Sequence, residues 1–176
     1  MLEVKQMLRQ TVLQQRKLLS NTDRHTQSEQ IAANLISHPI FADAKTVASY
    51  ISWTTEPDTS EINLALASRG SKLLVPAGGL SPGWKTLEGN LQPPEVLVNA
   101  ELIIVPALAV DYAGTRMGRG AGWYDQALVH RHPDANVIAL LFEGEYLPEQ
   151  LLPRESHDVP IKLVITPHQV HKADLP

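Results

Sequence analysis

The order of residue patterns along the chain predicts an α/β protein, a three-layer α/β/α arrangement with a mostly parallel sheet between its helices. Three observations predict it. Strand-like stretches alternate with helix-like ones from Thr46 to Thr166. Those strand-like stretches, among them KLLVPA, ELIIV and NVIALLF, are apolar at successive positions and not striped, as strands covered on both faces are. Finally, 176 residues with 43% hydrophobic content suffice for one well-buried core and are short for two, so residues 1–176 are expected to form a single domain.

Residues 2–19 space Leu2, Val4, Met7, Leu8, Val12, Leu18 and Leu19 among basic and amide residues, an amphipathic helical pattern. At 3.6 residues per turn Lys5, Arg9 and Arg16 fall within about forty degrees of one another, so they share a face, which by itself reads as a solvated stripe. A second helix is expected over Thr26–Ser37, buried through Ile31, Leu35 and Ile36 and stopped by Pro39, which restricts the residue before it. Thr46–Ser52 is β-branched and aromatic enough for a strand; WTTEPDT is loop, leading to a cap at Thr59 or Ser60 and a helix SEINLALAS that ends at Arg69-Gly70. After strand KLLVPA, the stretch from Gly78 to Pro94 is rich in Gly, Pro and Asn and supports no element. An apolar run ELIIVPALAVD reads as one strand, followed by a glycine loop, a short helix WYDQALVHR, strand NVIALLF, a long loop and a last strand KLVIT. In sheets of this kind ligands sit outside the carboxyl ends of the strands. Glu56, Asp111, the glycine loop and Glu143 all follow strands and are expected on that rim.

Composition excludes several classes. A net charge of −4 argues against a general nucleic-acid binder. With no cysteine there is no disulfide, thiolate ligand or cysteine nucleophile. MLEVKQMLRQ lacks the apolar core of a signal peptide and no run approaches a membrane span, so a soluble cytoplasmic protein is expected. HExxH and Gly-x-Ser-x-Gly are both absent, which removes the commonest zinc-peptidase and serine-hydrolase signatures, and the paired histidines 130/132 and 168/171 do not by themselves make a metal site.

GTRMGRGAGWYD, residues 114–125, is the most informative stretch. Four glycines and two arginines occupy the nine positions Gly114–Gly122. Glycine permits positive φ and inward-turned N–H groups, and Arg116 and Arg119 add charge-assisted donors suited to phosphate oxygens. A tight turn is the plainer reading, but the alternation of Gly with Arg before a helix start favours an anion cradle. It is not a Walker A loop, since no Gly-Lys-Ser/Thr occurs, nor a dinucleotide fingerprint, since Trp123 stands where the third glycine belongs. Asp125 could hold a magnesium ion beside bound phosphates or cap its own helix. Asp158 could supply a second carboxylate or close a turn, and Glu56 could anchor a substrate or be an ordinary exposed acid.

In order along the chain, KQMLR with the later Arg16, TEPDT, IIVPALAVD, GTRMGRGAGWYD and LPRESHDVPIKLVITP resemble the 5-formyltetrahydrofolate cyclo-ligase family, also called 5,10-methenyltetrahydrofolate synthetases. The resemblance implies the broad architecture shared with sugar-phosphate isomerases and acyl-CoA transferases. It implies conversion of 5-formyltetrahydrofolate to 5,10-methenyltetrahydrofolate with ATP and Mg2+. By motif, Lys5 and Arg9 would contact the nucleotide, and Arg116, Met117, Gly118, Arg119, Gly120, Ala121, Gly122, Trp123 and Tyr124 would cradle its phosphates. Asp125 and Asp158 would hold magnesium; Ile51, Glu56, Arg119 and Trp123 would meet the folate; Arg119 and Tyr124 would serve catalysis. The partner is a small molecule, with no nucleic acid or membrane, and the protein is expected to be a monomer. Two departures stand out. Lys162 occupies a position where the family commonly has aspartate, and the Pro76–Pro106 link is short, with only Trp84 and LEGNLQPP in place of the family's aromatic-rich hairpin. An ATP-binding paralogue without folate activity is the alternative reading.

Overall fold

The computed structural model describes residues 2–53 and 55–175; Thr54 of the WTTEPDT loop and the side chains of Leu2 and Glu3 lie outside the described residues. In chain order come α1 (Leu2–Leu18), α2 (Asn21–Ile36), α3 (Pro39–Asp43), β1 (Thr46–Ala48), α4 (Ser60–Ser68), β2 (Lys72–Pro76), β3 (Trp84–Thr86) and β4 (Leu91–Gln92). Then follow β5 (Leu102–Pro106), β6 (Ala109–Asp111), β7 (Arg116–Met117), α5 (Trp123–Ala127), β8 (Asn136–Leu140), β9 (Tyr146–Leu147), β10 (Leu163–Ile165) and β11 (Val170–Lys172), with 3-10 turns at Pro94–Asn99 and Leu128–His130. Among the described residues no helix is long and apolar enough to cross a membrane.

Eight strands form the main sheet in the order β11-β10-β8-β5-β1-β2-β3-β4. The central five, β10 through β2, are parallel, and β11, β3 and β4 add antiparallel edges. The chain enters at β1, steps outward to β2, then returns to lay β5 on the other side of β1. That reversal makes the crevice beyond the carboxyl ends of β1 and β5 the switch point of the sheet, where open α/β sheets bind ligands.

Alternate side chains of each strand enter different cores, which is what a sheet covered on both faces requires. Val47, Leu73, Leu102, Ile104, Ile138 and Leu140 pack with Ile31 and Leu35 of α2, Phe41 of α3 and Ile62 and Leu66 of α4. Ala48, Leu74, Ile103, Val105, Val137 and Ala139 pack on the opposite face with Leu97, Ala127, Leu128 and Trp84. A third cluster joins Val12 of α1 to Leu108, Ala109, Met117 and Leu152. It seats α1 against a small sheet ordered β7-β6-β9.

Several expected elements differ. The run ELIIVPALAVD is two strands in two sheets: β5 stays in the main sheet, while β6, beyond Pro106, pairs with β7 and β9. Proline offers no N–H to continue a ladder. The first strand ends at Ala48 and not Ser52, because the Tyr50 carbonyl is taken by side chains, the Thr59 hydroxyl (2.7 Å) and the Asn63 amide (3.0 Å). Helix α2 starts five residues early because Ser20 caps it, its hydroxyl accepting the Asp23 N–H at 3.0 Å. The unassigned Gly78–Pro94 stretch holds the β3–β4 hairpin, so a hairpin is present in the short link after all. Trp84, fully buried, roots it.

Candidate active site at the switch point

The glycine loop leaves β7 and ends in the single turn of α5, with Gly122 at φ 70 as its N-cap. Gly114 is required twice over: its φ is +77, and a Cβ there would stand 2.5 Å from the Ile161 carbonyl oxygen. Gly120, at φ +97, lies under Arg9, whose Cζ a Cβ would approach to 3.4 Å. Helix α1 therefore reaches the loop. Arg9 Nε donates to the Gly118 carbonyl at 2.9 Å, across 109 residues of sequence. Lys5 sits one turn before Arg9 on α1, half-buried.

Within the loop, Arg116 Nη2 donates to Asp125 Oδ1 at 2.8 Å and Nη1 to the Pro106 carbonyl at 3.2 Å, with its guanidinium 5.7 Å from the Tyr124 ring centroid. Met117 is 2% exposed and packs in the third core, so it can serve a ligand only through its backbone. Arg119 points outward to the β1 side. Its Nε lies 3.3 Å from Glu56 Oε1, and its Nη2 donates to the Thr55 hydroxyl at 3.2 Å. Glu56 is buried, and its other oxygen accepts the Trp53 N–H at 2.9 Å. Ile51, at the mouth of the same loop, is exposed.

The hydroxyls of Tyr124 and Tyr50 are buried here with no hydrogen-bond partner among the described residues. Burial raises both phenol pKa values; Arg116 opposes the rise at Tyr124, and Glu56 adds to it at both. Each phenol thus stays protonated at neutral pH, and an unpartnered buried donor has a ligand or water to meet. Trp123 packs edge-on against Trp84 (5.4 Å) and against Tyr124 (4.8 Å), so the β3–β4 hairpin braces the loop.

Arg9, Gly118, Arg116, Asp125, Tyr124, Arg119 and Glu56 are thereby brought together from three separate segments. Asp158 is held locally, its Oδ2 accepting the Glu155 N–H at 2.8 Å. Among the described residues no group of three or more His, Asp or Glu side chains is arranged to hold a metal. Sequence reasoning passed over Tyr50, Thr55 and Trp53. Their signal was position alone, next to Glu56 at the end of β1. Arg16, read as solvated, is 1% exposed and bound to Glu145.

The acidic loop that carries Glu56 is fixed by Asp58. Burial disfavours its charge, but hydrogen bonds from the Ser60 hydroxyl and N–H and from the Ser52 hydroxyl outweigh that and lower its pKa. An acid with a depressed folded pKa stabilises the fold above its unfolded pKa and loses that contribution as pH falls through the folded value. Asp58→Asn is therefore expected to be less stable than wild type at pH 7, with the gap closing on acidification. Urea melts at pH 7 and near pH 3 check it; a gap constant with pH would refute the account.

A family model described as the 5-formyltetrahydrofolate cyclo-ligase family matches residues 1–167. A relative named 5-formyltetrahydrofolate cyclo-ligase from Mycolicibacterium smegmatis is 33% identical, covering 93% of this chain and 93% of its own length. Among solved structures, the NMR structure of the Aquifex aeolicus 5,10-methenyltetrahydrofolate synthetase superposes with TM-score 0.80 at 26% identity, covering 98% of this chain and 94% of that one. A synthetase of the same kind from Mycoplasma pneumoniae reaches TM-score 0.80 at 20% identity over 93% of this chain and 99% of that one, a likeness of fold. The match spans α1, the Glu56 loop and the glycine loop alike, the segments that converge at the switch point. On these grounds the chain belongs to the 5-formyltetrahydrofolate cyclo-ligase family.

Proposed function

We propose that this enzyme closes 5-formyltetrahydrofolate to 5,10-methenyltetrahydrofolate at the expense of ATP, with Mg2+, releasing ADP and phosphate. The observation that carries the reading is the Arg119–Glu56 contact at 3.3 Å, which joins the phosphate-type loop to the acid of the folate-type loop. A group bound at Glu56 and a phosphoryl bound at the loop would meet across that contact. The name of the 33% identical relative supports the same substrate.

A formamide oxygen is a poor leaving group. In the proposed reaction that oxygen attacks the γ-phosphorus, forming an O–P bond as the bond to the β-γ bridging oxygen breaks and ADP departs. N10 then attacks the activated carbon, phosphate leaves with the former formyl oxygen, and the N10 proton is lost. Such transfers ask the protein for positioning and charge stabilisation and for no covalent nucleophile. Arg9, Arg116 and Arg119 supply cations, the loop supplies N–H groups, and the buried Tyr124 hydroxyl supplies a neutral donor. Glu56 accepts hydrogen bonds from the substrate on the β1 side.

The Asp125 carboxylate, beside the loop, suits a divalent cation of the Mg2+ type. Asp125 is partly exposed, 41% at its side chain, and uses Oδ1 for Arg116. Asp125 and Asp158 would hold the ion, and two carboxylates completed by phosphate oxygens and water are the usual Mg2+ arrangement. When bound, the ion neutralises phosphate charge. The test is the appearance of methenyltetrahydrofolate absorbance from 5-formyltetrahydrofolate, expected only with ATP and Mg2+ together. ATP binding without turnover would establish the non-folate paralogue, although the Trp84-rooted hairpin beside Trp123 favours an intact folate wall.

A further inference from the structure

We propose that Trp53 forms the binding face for the aromatic amide of the substrate, in a cavity that opens on the side of Glu56 away from the glycine loop. The inference rests on the cyclo-ligase reading, because a folate supplies the aryl group. Trp53 is 74% exposed, although its backbone is fixed: its N–H donates to Glu56 Oε2 at 2.9 Å and its carbonyl accepts the Glu56 N–H at 2.9 Å. A large aromatic surface held out on a tied loop is left mostly uncovered by the described residues. It is pre-organised for a ligand, and aromatic rings are the side chains that give most contact for least ordering cost.

Glu56 sets the direction. One carboxylate oxygen meets Arg119 and the other meets Trp53, so these two residues flank the same group from different sides. The reacting formyl end must lie with Arg119, where phosphoryl is delivered. The remainder of the substrate, joined through N10 to its benzoyl amide, then leads away past Glu56 toward Trp53. A cavity of about 400 Å3 lies there, lined by Trp53, Glu56, Ser52, Ser60, Asp58 and His25 among others. Its one large apolar face is the Trp53 ring, set among polar and charged groups that include Arg24 and His25, so an aryl ring has Trp53 to stack on and its amide has polar groups to meet. Stacking there also aims N10, the nitrogen attached to that ring, back at the carbon it must attack.

Calorimetric titration of the full-length protein with two ligands tests this. One is 5-formyltetrahydrofolate; the other is a 5-formyl-6-methyltetrahydropterin, which keeps the formyl end and lacks the aryl group. Trp53→Ala is expected to weaken folate binding about three- to tenfold and to leave pterin binding within about twofold, with Trp53→Phe restoring most of the loss. Because the side chain is exposed, the variants should fold, and near-identical melting temperatures would confirm that they do. Equal losses for both ligands, or no loss for either, overturn the aryl site. Wild-type protein that binds neither ligand overturns the cyclo-ligase reading and the aryl site with it.

Discussion

Replacing Arg119 with alanine is expected to lower kcat about 10²–10³-fold while Mg·ATP binding weakens by less than about fivefold. The asymmetry follows from where the side chain lies. Arg9 and Arg116 are fastened to the loop itself, through the Gly118 and Pro106 carbonyls and Asp125, and so help build the cradle. Arg119 is tied instead to the opposite wall, at Glu56 and Thr55, with its side chain 43% exposed. In the proposed reaction a guanidinium spanning the crevice would contact the group that moves more than the groups that stay, so its contribution would grow toward the transition state. Arg119→Lys keeps the charge but loses the forked donor set, and should recover only part of the rate. Steady-state kinetics with calorimetric ATP binding decides the matter, and equal losses in the two quantities would refute the assignment.

What could be foreseen from the residues, and what could not, divides along physical lines. Helix α4 was legible to its last residue, Ser60 to Ser68, because Asp-Thr-Ser opens it and Arg-Gly closes it by local chemistry. The parallel sheet was legible because continuous apolar runs have no other stable home. The glycine loop was legible as a turn into a helix because its glycines permit the positive φ that Gly114, Gly120 and Gly122 adopt. The break at Pro106 was not, since the residues on either side are equally apolar and only the sheet they join differs. Strands of two or three residues, such as β4, β7 and β9, are too short to show a period. Of the site, the identities at Glu56, Arg116 and Arg119 stood out, but not the cross-crevice pairing of Arg119 with Glu56, which is a contact over 63 positions. Trp53 looked like loop residue because exposure of an aromatic is invisible in a sequence.

Arg16 is the largest misjudged residue, and its replacement should be the most damaging to stability. Its helical phase matches Lys5 and Arg9, yet the side chain is buried beneath α1, where Nε and Nη2 reach Glu145 Oε1 and Oε2 at 2.7 and 2.8 Å. Nη2 also donates to the Ala107 carbonyl at 2.7 Å, and Glu145 accepts the Phe142 N–H at 2.9 Å. Burial pushes the Glu145 carboxyl up, and the Arg16 hydrogen bonds and charge draw it only partly back. Arg16→Met would leave that carboxylate buried with no counter-charge, a loss of about 3–5 kcal/mol. In a chain of this length that lowers Tm by about 10 °C. The sign with pH is fixed by linkage: an acid whose folded pKa lies above its unfolded value destabilises the fold as pH rises through that window, so the deficit of Arg16→Met should shrink on acidification, where Glu145 binds a proton. Arg16→Met combined with Glu145→Leu should regain most of the stability, since removing both partners of a buried pair is far milder than removing one. Thermal melts of the single and double variants from pH 5 to 8 measure each of these effects. A double variant no more stable than the single would show that the Ala107 and Phe142 hydrogen bonds, and not the charge pairing, fasten α1 to the small sheet.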